Sequence, residues 1–198
     1  MAEGYIVRLS LRNFMTFDDV TFLPSNRLNL VIGPNGSGKS SLSCAMVLGL
    51  AGKTKILGRA PEVGQFVKRG KQKAEIEIEL YKKNNNNITV RRTMTIDNKT
   101  SWHLNDKPAS QKEIEDLMKS LQIQVDNLCQ FLPQDRVHDF AKMNKQELLD
   151  NTQKSVGSPK LYQMFNELKN NMKLDGNHEK DVQKIKDQIL RSEDQVEK

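Results

Sequence analysis

The stretch Gly33-Pro34-Asn35-Gly36-Ser37-Gly38-Lys39-Ser40 decides the fold of this 198-residue chain. It matches the phosphate-binding loop pattern G-x-x-x-x-G-K-[ST] at every fixed position. Glycines in such a loop let the backbone approach phosphates closely, so that its N–H groups can bind them. In this pattern Lys39 reaches the β- and γ-phosphates, and the Ser40 hydroxyl ligates Mg²⁺. The sequence therefore predicts an α/β, P-loop NTPase fold that binds a nucleotide.

The residues on both sides of this loop have the composition of a strand and a helix. Residues 28–32 are rich in branched apolar side chains, which predicts a strand. The apolar run after Lys39 predicts a buried helix with Gly52 as its C-cap, whose positive end faces the phosphates. The alternative is a glycine-rich turn without a ligand, and the strand and helix on either side disfavour it.

The sequence lacks the second half of a P-loop ATPase. Such an enzyme needs a strand of apolar residues ending in Asp, which holds Mg²⁺, and no such run is present. Residues 76–80 alternate with charge, and residues 93–97 are rich in threonine. A Ser-Gly-Gly segment that could contact the γ-phosphate of a partner's nucleotide is also missing. We therefore expect no catalytic residue in this chain and no hydrolysis by the chain alone.

Positive charge is concentrated just downstream of the phosphate loop. The chain has a net charge of +6, and residues 53–73 alone account for it, with seven basic residues against Glu62. These seven are Lys53, Lys55, Arg59, Lys68, Arg69, Lys71 and Lys73. The cluster favours a polyanion such as DNA near the nucleotide. A solvated, lysine-rich loop explains the same composition.

The remaining composition excludes several classes of protein. No run is long enough to span a bilayer, so we expect no membrane partner. The two cysteines, Cys44 and Cys129, have no disulfide pattern and favour a reducing, intracellular setting. The three histidines share no metal-binding spacing, so we expect no structural zinc.

Alternating apolar and polar residues predict an antiparallel meander around the loop. Strands are expected at 5–12, 18–23, 74–80 and 88–96, with a further strand at Trp102. The three glutamates of 74–80 share one face, which favours a solvated strand face over a metal site. Helices are expected to begin at Ser110 and at Asn144, each with a glutamate three residues later.

The end of the chain predicts one helix of a coiled coil. Apolar residues at 161, 165, 168 and 172 follow a heptad, which resumes at 182, 185 and 189 after an interruption at 175–177. We therefore divide the chain into a lobe at 1–158 and the start of a coiled-coil arm at 159–198. A single surface helix is the alternative.

Together these features resemble the N-terminal half of the ABC-type ATPase head of structural maintenance of chromosomes (SMC) proteins. The loop Gly33-Pro34-Asn35-Gly36-Ser37-Gly38-Lys39-Ser40-Ser41 is typical of that family. The stretches at 58–60, 66–70 and 131–137 are similar to one eukaryotic branch that acts in DNA repair. The resemblance covers essentially the whole chain, and Phe-Leu-Pro-Gln-Asp-Arg at 131–136 carries most of its detail.

The resemblance implies a role for individual residues. Gln134 matches the Q-loop glutamine, which ligates Mg²⁺ together with Ser40 and senses the γ-phosphate. Arg59 matches an arginine that lies near the nucleotide on the DNA-facing side of the head. This match favours the interpretation that the basic cluster binds DNA. Two positions depart from the family pattern, with Asp135 where many relatives have Gly and Met15 where many have Lys or Arg. The implied ATP-binding residues are Gly33, Pro34, Asn35, Gly36, Ser37, Gly38, Lys39, Ser40, Ser41 and Gln134.

The resemblance also implies partners and a mechanism. ATP and Mg²⁺ would be sandwiched between this head and that of a second SMC protein, closing a clamp on DNA. The C-terminal half of the same head would supply the missing catalytic residues. A kleisin, other non-SMC subunits and, on the arm beyond Lys198, a SUMO ligase would complete a nuclear, chromosome-associated complex. The alternatives are another coiled-coil DNA-repair ATPase with the same half head, a non-enzymatic DNA-binding module, and a self-contained small P-loop kinase.

Overall fold

The protein divides into two compact units, Met1–Leu148 and Leu149–Lys198. The computed structural model describes residues 3–58, 60–83, 86–156, 160–172, 183–184 and 186. The first unit contains a sheet and most of the helices, and it carries the phosphate-binding loop.

A six-stranded antiparallel sheet organises the first unit, in the order β2-β1-β3-β4-β5-β6. Each predicted meander strand is present, because period-two alternation is a local property of the sequence. The antiparallel α/β architecture is therefore confirmed. The strands are β1 Ile6–Phe14, β2 Phe17–Phe22, β3 Lys73–Leu80, β4 Ile88–Thr95, β5 Thr100–Leu104 and β6 Lys107–Ala109.

Besides a helical segment at 160–172, four helices and three short 3₁₀ segments accompany the sheet in the described residues. The helices are α1 Lys39–Gly49, α2 Gln111–Ser120, α3 Val137–Lys142 and α4 Lys145–Val156. The 3₁₀ segments are Thr54–Leu57, Val63–Phe66 and Gln134–Arg136. Both predicted helix starts are confirmed, since the side chains of Ser110 and Asn144 accept hydrogen bonds from the backbone N–H groups of Glu113 (3.2 Å) and Glu147 (2.9 Å).

The core lies between one face of the sheet and α1. Alternate residues of β1, β3 and β4 point inward, and α1 is buried along most of its length. The helix approaches β3 so closely that a Cβ at Gly49 would lie 2.5 Å from Ile78 Cδ1. This packing fixes α1, and with it the loop that precedes the helix. The largest fully buried side chains are Phe14, Phe66, Leu9, Leu11, Leu48, Ile76, Ile78, Leu80, Met94, Ile114, Val47 and Val90.

The opposite face of the sheet carries a network of ion pairs. Glu77 accepts a hydrogen bond from Arg8 Nη1 at 2.8 Å and another from Arg91 Nε at 2.7 Å. Arg8 Nε also donates to Glu79 at 3.0 Å. In the part of the chain that the structure describes, no group of His, Cys, Asp or Glu side chains could hold a metal ion. The glutamates of β3 therefore pair with arginines of the adjacent strands, as expected for a solvated strand face.

The prediction of a strand at 28–32 is wrong. These residues have no regular secondary structure, and Leu28, Leu30 and Ile32 are 92%, 79% and 82% exposed. A buried strand needs neighbours on both sides to bond its backbone and cover its side chains. The described residues of this chain place no strand beside it. Residues 28–32 therefore have the apolar composition of a buried strand but no neighbouring strand among the described residues.

The C-cap predicted at Gly52 also differs from the structure. Helix α1 ends at Gly49 with Leu50 as its C-cap, and Ala51 takes the left-handed conformation with φ 61°. Gly52 instead donates its N–H to the Val47 carbonyl at 2.8 Å, the longer-range bond of a Schellman ending. The glycine lies one residue beyond the left-handed position because that close approach leaves no room for a Cβ, which would lie 2.4 Å from Val47 Cγ1.

The second unit contains a helical segment at 160–172. Its apolar residues at 161, 168 and 172 are 64%, 59% and 67% exposed, and Phe165 is 37% exposed. Tyr162 donates its hydroxyl to Asp150 Oδ2 at 3.1 Å within this unit. The later heptad positions 182, 185 and 189 lie outside the described residues, so the coiled coil stays a prediction.

Candidate nucleotide-binding site

The backbone of the phosphate loop depends on two glycines in the left-handed region. Gly36 has φ +84° and Gly38, the N-cap of α1, has φ +100°. L-residues with a Cβ rarely adopt these angles, so glycine is required at both positions. The loop turns back on itself between them, with the Ser37 N–H donating to the Pro34 carbonyl at 3.3 Å.

Lys39, the first residue of α1, folds its side chain over the start of the loop. Its Nζ donates to the carbonyls of Gly33 at 2.6 Å and Pro34 at 2.7 Å. The ammonium group therefore lies at the loop rather than in open solvent. The role of Lys39 beside the phosphates stays a prediction.

The first turn of α1 adds backbone donors to this positive charge. Leu42 donates to the Gly38 carbonyl at 2.9 Å, and the N–H groups of residues 39–41 precede that first intrahelical bond. Such a helix end favours phosphate through its dipole and its free amides. The loop glycines, Lys39 and the Ser40 hydroxyl thus fit ATP with Mg²⁺. These residues would bind and orient the phosphates of ATP.

The turn between β1 and β2 packs against the loop, and sequence reasoning missed it. A Cβ built at Gly38 would lie 2.5 Å from Phe17 Cζ and 2.8 Å from Thr16 Oγ1. The Thr16 hydroxyl also donates to Ser41 Oγ at 3.3 Å, and Ser41 is buried. Met15 has φ 46° and donates its N–H to the Phe66 carbonyl at 2.9 Å. The resemblance points only to Met15 in this turn, and no sequence pattern links Thr16 or Phe17 to the loop.

The structure places Gln134 at the start of the 3₁₀ segment Gln134–Arg136, where its side chain is exposed. In the described ranges, no hydrogen bond joins Gln134 to residues 33–41. Its neighbour Asp135 lies beside Gly58, where an added Cβ would be 3.7 Å from Asp135 Cβ. The segment therefore lies next to Gly58. Arg59 is outside the described residues. The roles of Gln134 and Arg59 stay predictions.

The remaining residues of the predicted DNA-binding set fall into two groups. Lys68 is engaged within the protein, since its Nζ lies 2.6 Å from Asp18 Oδ2 and 3.3 Å from the Thr16 carbonyl. The hydrogen bond from Lys68 lowers the pKa of Asp18. The other members are exposed, and they are Lys53, Lys55, Arg69, Lys71 and Lys73.

A buried arginine lies behind the site. Arg92 on β4 donates from Nη1 to the Leu48 carbonyl of α1 at 2.8 Å, and its guanidinium stacks 4.6 Å from the centre of the Trp102 ring. Burial lowers the pKa of Arg92 to about 10. Alternation along β4 could have revealed this position, because Arg92 shares its face with Val90 and Met94.

Comparisons with known proteins agree with this geometry. A family model described as an AAA domain matches residues 8–197. Structural maintenance of chromosomes protein 5 of Arabidopsis thaliana is 48% identical over 159 residues, which make up 80% of this chain. The chain spans only 15% of the length of that relative.

Solved structures show the same fold. A structure from work on ATP-driven dimerization and DNA-stimulated activation of SMC ATPases matches with a TM-score of 0.66 at 25% identity. The match covers 75% of this chain and 99% of that one. The Smc head domain of Pyrococcus furiosus, bound to the C-terminal domain of ScpA, matches with a TM-score of 0.68 at 25% identity, over 75% of this chain and 41% of that one.

The predicted family and branch are confirmed by these matches. Among the described residues, no helix is both long enough and apolar enough to cross a membrane. The fold, the phosphate loop and the relatives lead to one assignment. The chain belongs to the AAA domain family and, within it, to the structural maintenance of chromosomes proteins, as part of their ATPase head.

Proposed function

We propose that this chain is the ATP-binding part of an SMC head that hydrolyses ATP only after assembly. ATP would bind residues 33–41, with Mg²⁺ on Ser40 and Gln134. The C-terminal half of the same head would supply the catalytic residues. A second SMC head, that of the sixth family member, would enclose the nucleotide from the other side.

The exposed segment 28–32 carries this proposal. Leu28, Leu30 and Ile32 each leave more than three quarters of their surface in solvent, directly before the phosphate loop. Contiguous apolar surface of this kind marks an interaction site. Strands from the C-terminal half would flank the segment, turn it into a strand of a parallel sheet and hold the loop from behind. Hydrolysis would thereby depend on completing the sheet.

The engaged heads would act as a clamp on DNA. The exposed lysines and arginines of the basic segment, residues 53–73, would contact backbone phosphates without reading sequence. Support comes from the charge of that segment and from the similar structure that was solved in work on DNA-stimulated activation of SMC ATPases. ATP binding would close the clamp and hydrolysis would open it, a population shift driven at an interface.

The relatives support part of the assembly that we propose around the head. A ScpA-bound Smc head supports a kleisin on the heads of this complex, with other non-SMC subunits beside it. Residues 159–198 would begin the coiled-coil arm, with 1–158 as the N-terminal lobe. A SUMO ligase would dock on the arm beyond Lys198, and the complex would act in recombinational DNA repair on chromosomes in the nucleus.

Steady-state ATP turnover tests this proposal. We expect no turnover by the folded chain alone, and turnover after the C-terminal half and the partner head are added. Lys39→Ala in the assembled complex should abolish it, because the lysine binds the transferred phosphate. Turnover by the chain alone that disappears with Lys39→Ala would instead support a self-contained kinase-like enzyme.

A further inference from the structure

The tip of the phosphate loop contains the only Asn-Gly pair in the sequence, Asn35-Gly36. We propose that Asn35 is a site of spontaneous deamidation, and that the resulting carboxylate ends phosphate binding by the loop. The effect on binding rests on the proposed function, whereas the chemical step is independent of it.

The reaction needs only the chain and water. The backbone nitrogen of Gly36 gives up its proton and attacks the side-chain carbon Cγ of Asn35. The new C–N bond closes a cyclic imide, and the side-chain nitrogen leaves as ammonia. Water then opens the imide to aspartate or isoaspartate. Glycine in the following position removes the Cβ that would obstruct this attack.

The structure leaves both reacting groups accessible. Asn35 and Gly36 are exposed, and nothing lies within 4 Å of a Cβ built at Gly36. In the described part of the chain, no hydrogen bond restrains the Asn35 amide or the Gly36 N–H. Other loop asparagines are held, since Asn98 and Asn105 accept backbone hydrogen bonds at 2.9 Å and 2.8 Å.

The electrostatics of the loop favour the attack. Negative charge develops first on the Gly36 nitrogen and then on the side-chain oxygen of Asn35. Lys39 Nζ lies 2.7 Å from the Pro34 carbonyl, immediately before Asn35, and the positive end of α1 follows. Positive charge in the same loop stabilises negative charge that develops nearby. The field that attracts phosphate therefore also promotes deamidation.

The product is incompatible with the function of the loop. A carboxylate at position 35 would pair with Lys39 and repel the phosphates of a nucleotide. Isoaspartate would also lengthen the backbone and displace the N–H groups that bind phosphate. Bound ATP should protect Asn35, because its phosphates neutralise the positive field and order the loop.

Peptide mass spectrometry of the aged chain tests the chemical step. We expect a gain of about one dalton at Asn35, with isoaspartate and released ammonia, at least about tenfold faster than at Asn98 or Asn105. The rate should rise with pH and fall in the presence of ATP and Mg²⁺. An Asn35 that survives as long as Asn98 and Asn105 would overturn the proposal.

Freshly prepared Asn35→Asp tests the consequence. We expect its affinity for a fluorescent ATP analogue to fall about tenfold or more, with an unchanged thermal unfolding midpoint. Asn26→Asp is the matched control, because it adds the same charge at an exposed asparagine outside the loop. Equal affinities for Asn35→Asp and wild type would refute the consequence. A fresh wild-type chain that binds no nucleotide refutes the proposed function instead, and the mass measurement still decides the chemistry.

Discussion

At the scale of single residues, Gly36 and Gly38 share a backbone conformation but differ in their surroundings. An added Cβ at Gly36 meets nothing within 4 Å, whereas one at Gly38 would lie 2.5 Å from Phe17 Cζ. Gly36→Ala should lower the unfolding free energy by only about 1 kcal/mol, the cost of the positive φ. Gly38→Ala adds a steric conflict and should cost about 2–4 kcal/mol.

Chemical denaturation of both variants checks this prediction. Because the two substitutions are chemically identical, their difference isolates the contact between the β1–β2 turn and the loop. Replacing Phe17 by Leu in the Gly38→Ala background should recover part of the loss. Equal costs at the two glycines would mean that the turn does not press on the loop.

Arg92 makes a second prediction at this scale. Its side chain fills core space between α1 and Trp102, but no carboxylate pairs with it among the described residues. Arg92→Ala leaves a cavity and should cost about 3 kcal/mol of unfolding free energy. Arg92→Met fills most of that space without a buried charge and should cost only about 1 kcal/mol.

Urea denaturation of the two Arg92 variants separates packing from charge. Equal losses would show that the hydrogen bond to the Leu48 carbonyl dominates, contrary to the prediction.

The adjacent residues Arg91 and Arg92 show what can be predicted from the sequence. Their opposite environments follow from the pleat of β4, so alternation alone separates them. The contact of Thr16 and Phe17 with Gly38 has no such periodicity and required the structure.

At the scale of elements, the ion pairs between β1, β3 and β4 make stability depend on pH. Burial raises the pKa of Glu77, but hydrogen bonds from Arg91 and Arg8 outweigh it, so its pKa is lowered from 4.5. The folded state therefore binds fewer protons than the unfolded state. This stabilisation is complete above pH 4.5 and is lost as the pH falls through the lowered pKa.

Glu77→Gln should therefore reduce stability at neutral pH by about 1 kcal/mol and flatten its decline in acid. Thermal unfolding followed between about pH 7 and pH 3 measures both effects. Glu75→Gln is the control, since the ion pair of Glu75 with Arg12 spans 3.9 Å and is more exposed. A wild-type slope in acid for Glu77→Gln would contradict the assignment.

The elements also show where sequence reasoning succeeds and fails. The strands β3 and β4 were predicted because their alternation encodes one buried face without reference to other elements. Residues 28–32 carry an equally clear apolar pattern but form no strand in this chain. Their pattern specifies burial on both sides, and the partners for it are not among the described residues. A local apolar pattern alone therefore does not determine whether a segment forms a strand.

At the scale of the whole molecule, each unit has exposed apolar surface where the proposed assembly requires a partner. In the first unit it lies at 28–32, and in the second it runs along 160–172. The basic side chains belong to a different part of the sequence, residues 53–73. The chain therefore has exposed apolar surface in both units and exposed basic side chains in residues 53–73. Those basic side chains make DNA binding testable before any assembly.

DNA binding by the chain should depend steeply on salt and on the exposed part of the basic segment. Lys53, Lys55, Arg69 and Lys71 are exposed, so each can release counterions from a phosphate, whereas Lys68 is held by Asp18. Each lost contact should reduce the slope of log K against log salt by about 0.9 for duplex DNA. Substituting all four with glutamine should therefore lower the slope by about 3 to 4, while Lys68→Gln changes it least.

Fluorescence anisotropy with labelled duplexes across a salt series measures this slope. Lys107→Gln and Lys112→Gln are the controls, because both lysines are exposed and lie outside the segment. If the controls weaken binding as much as the segment variants, the chain attracts DNA by overall charge, and residues 53–73 are not its contact surface.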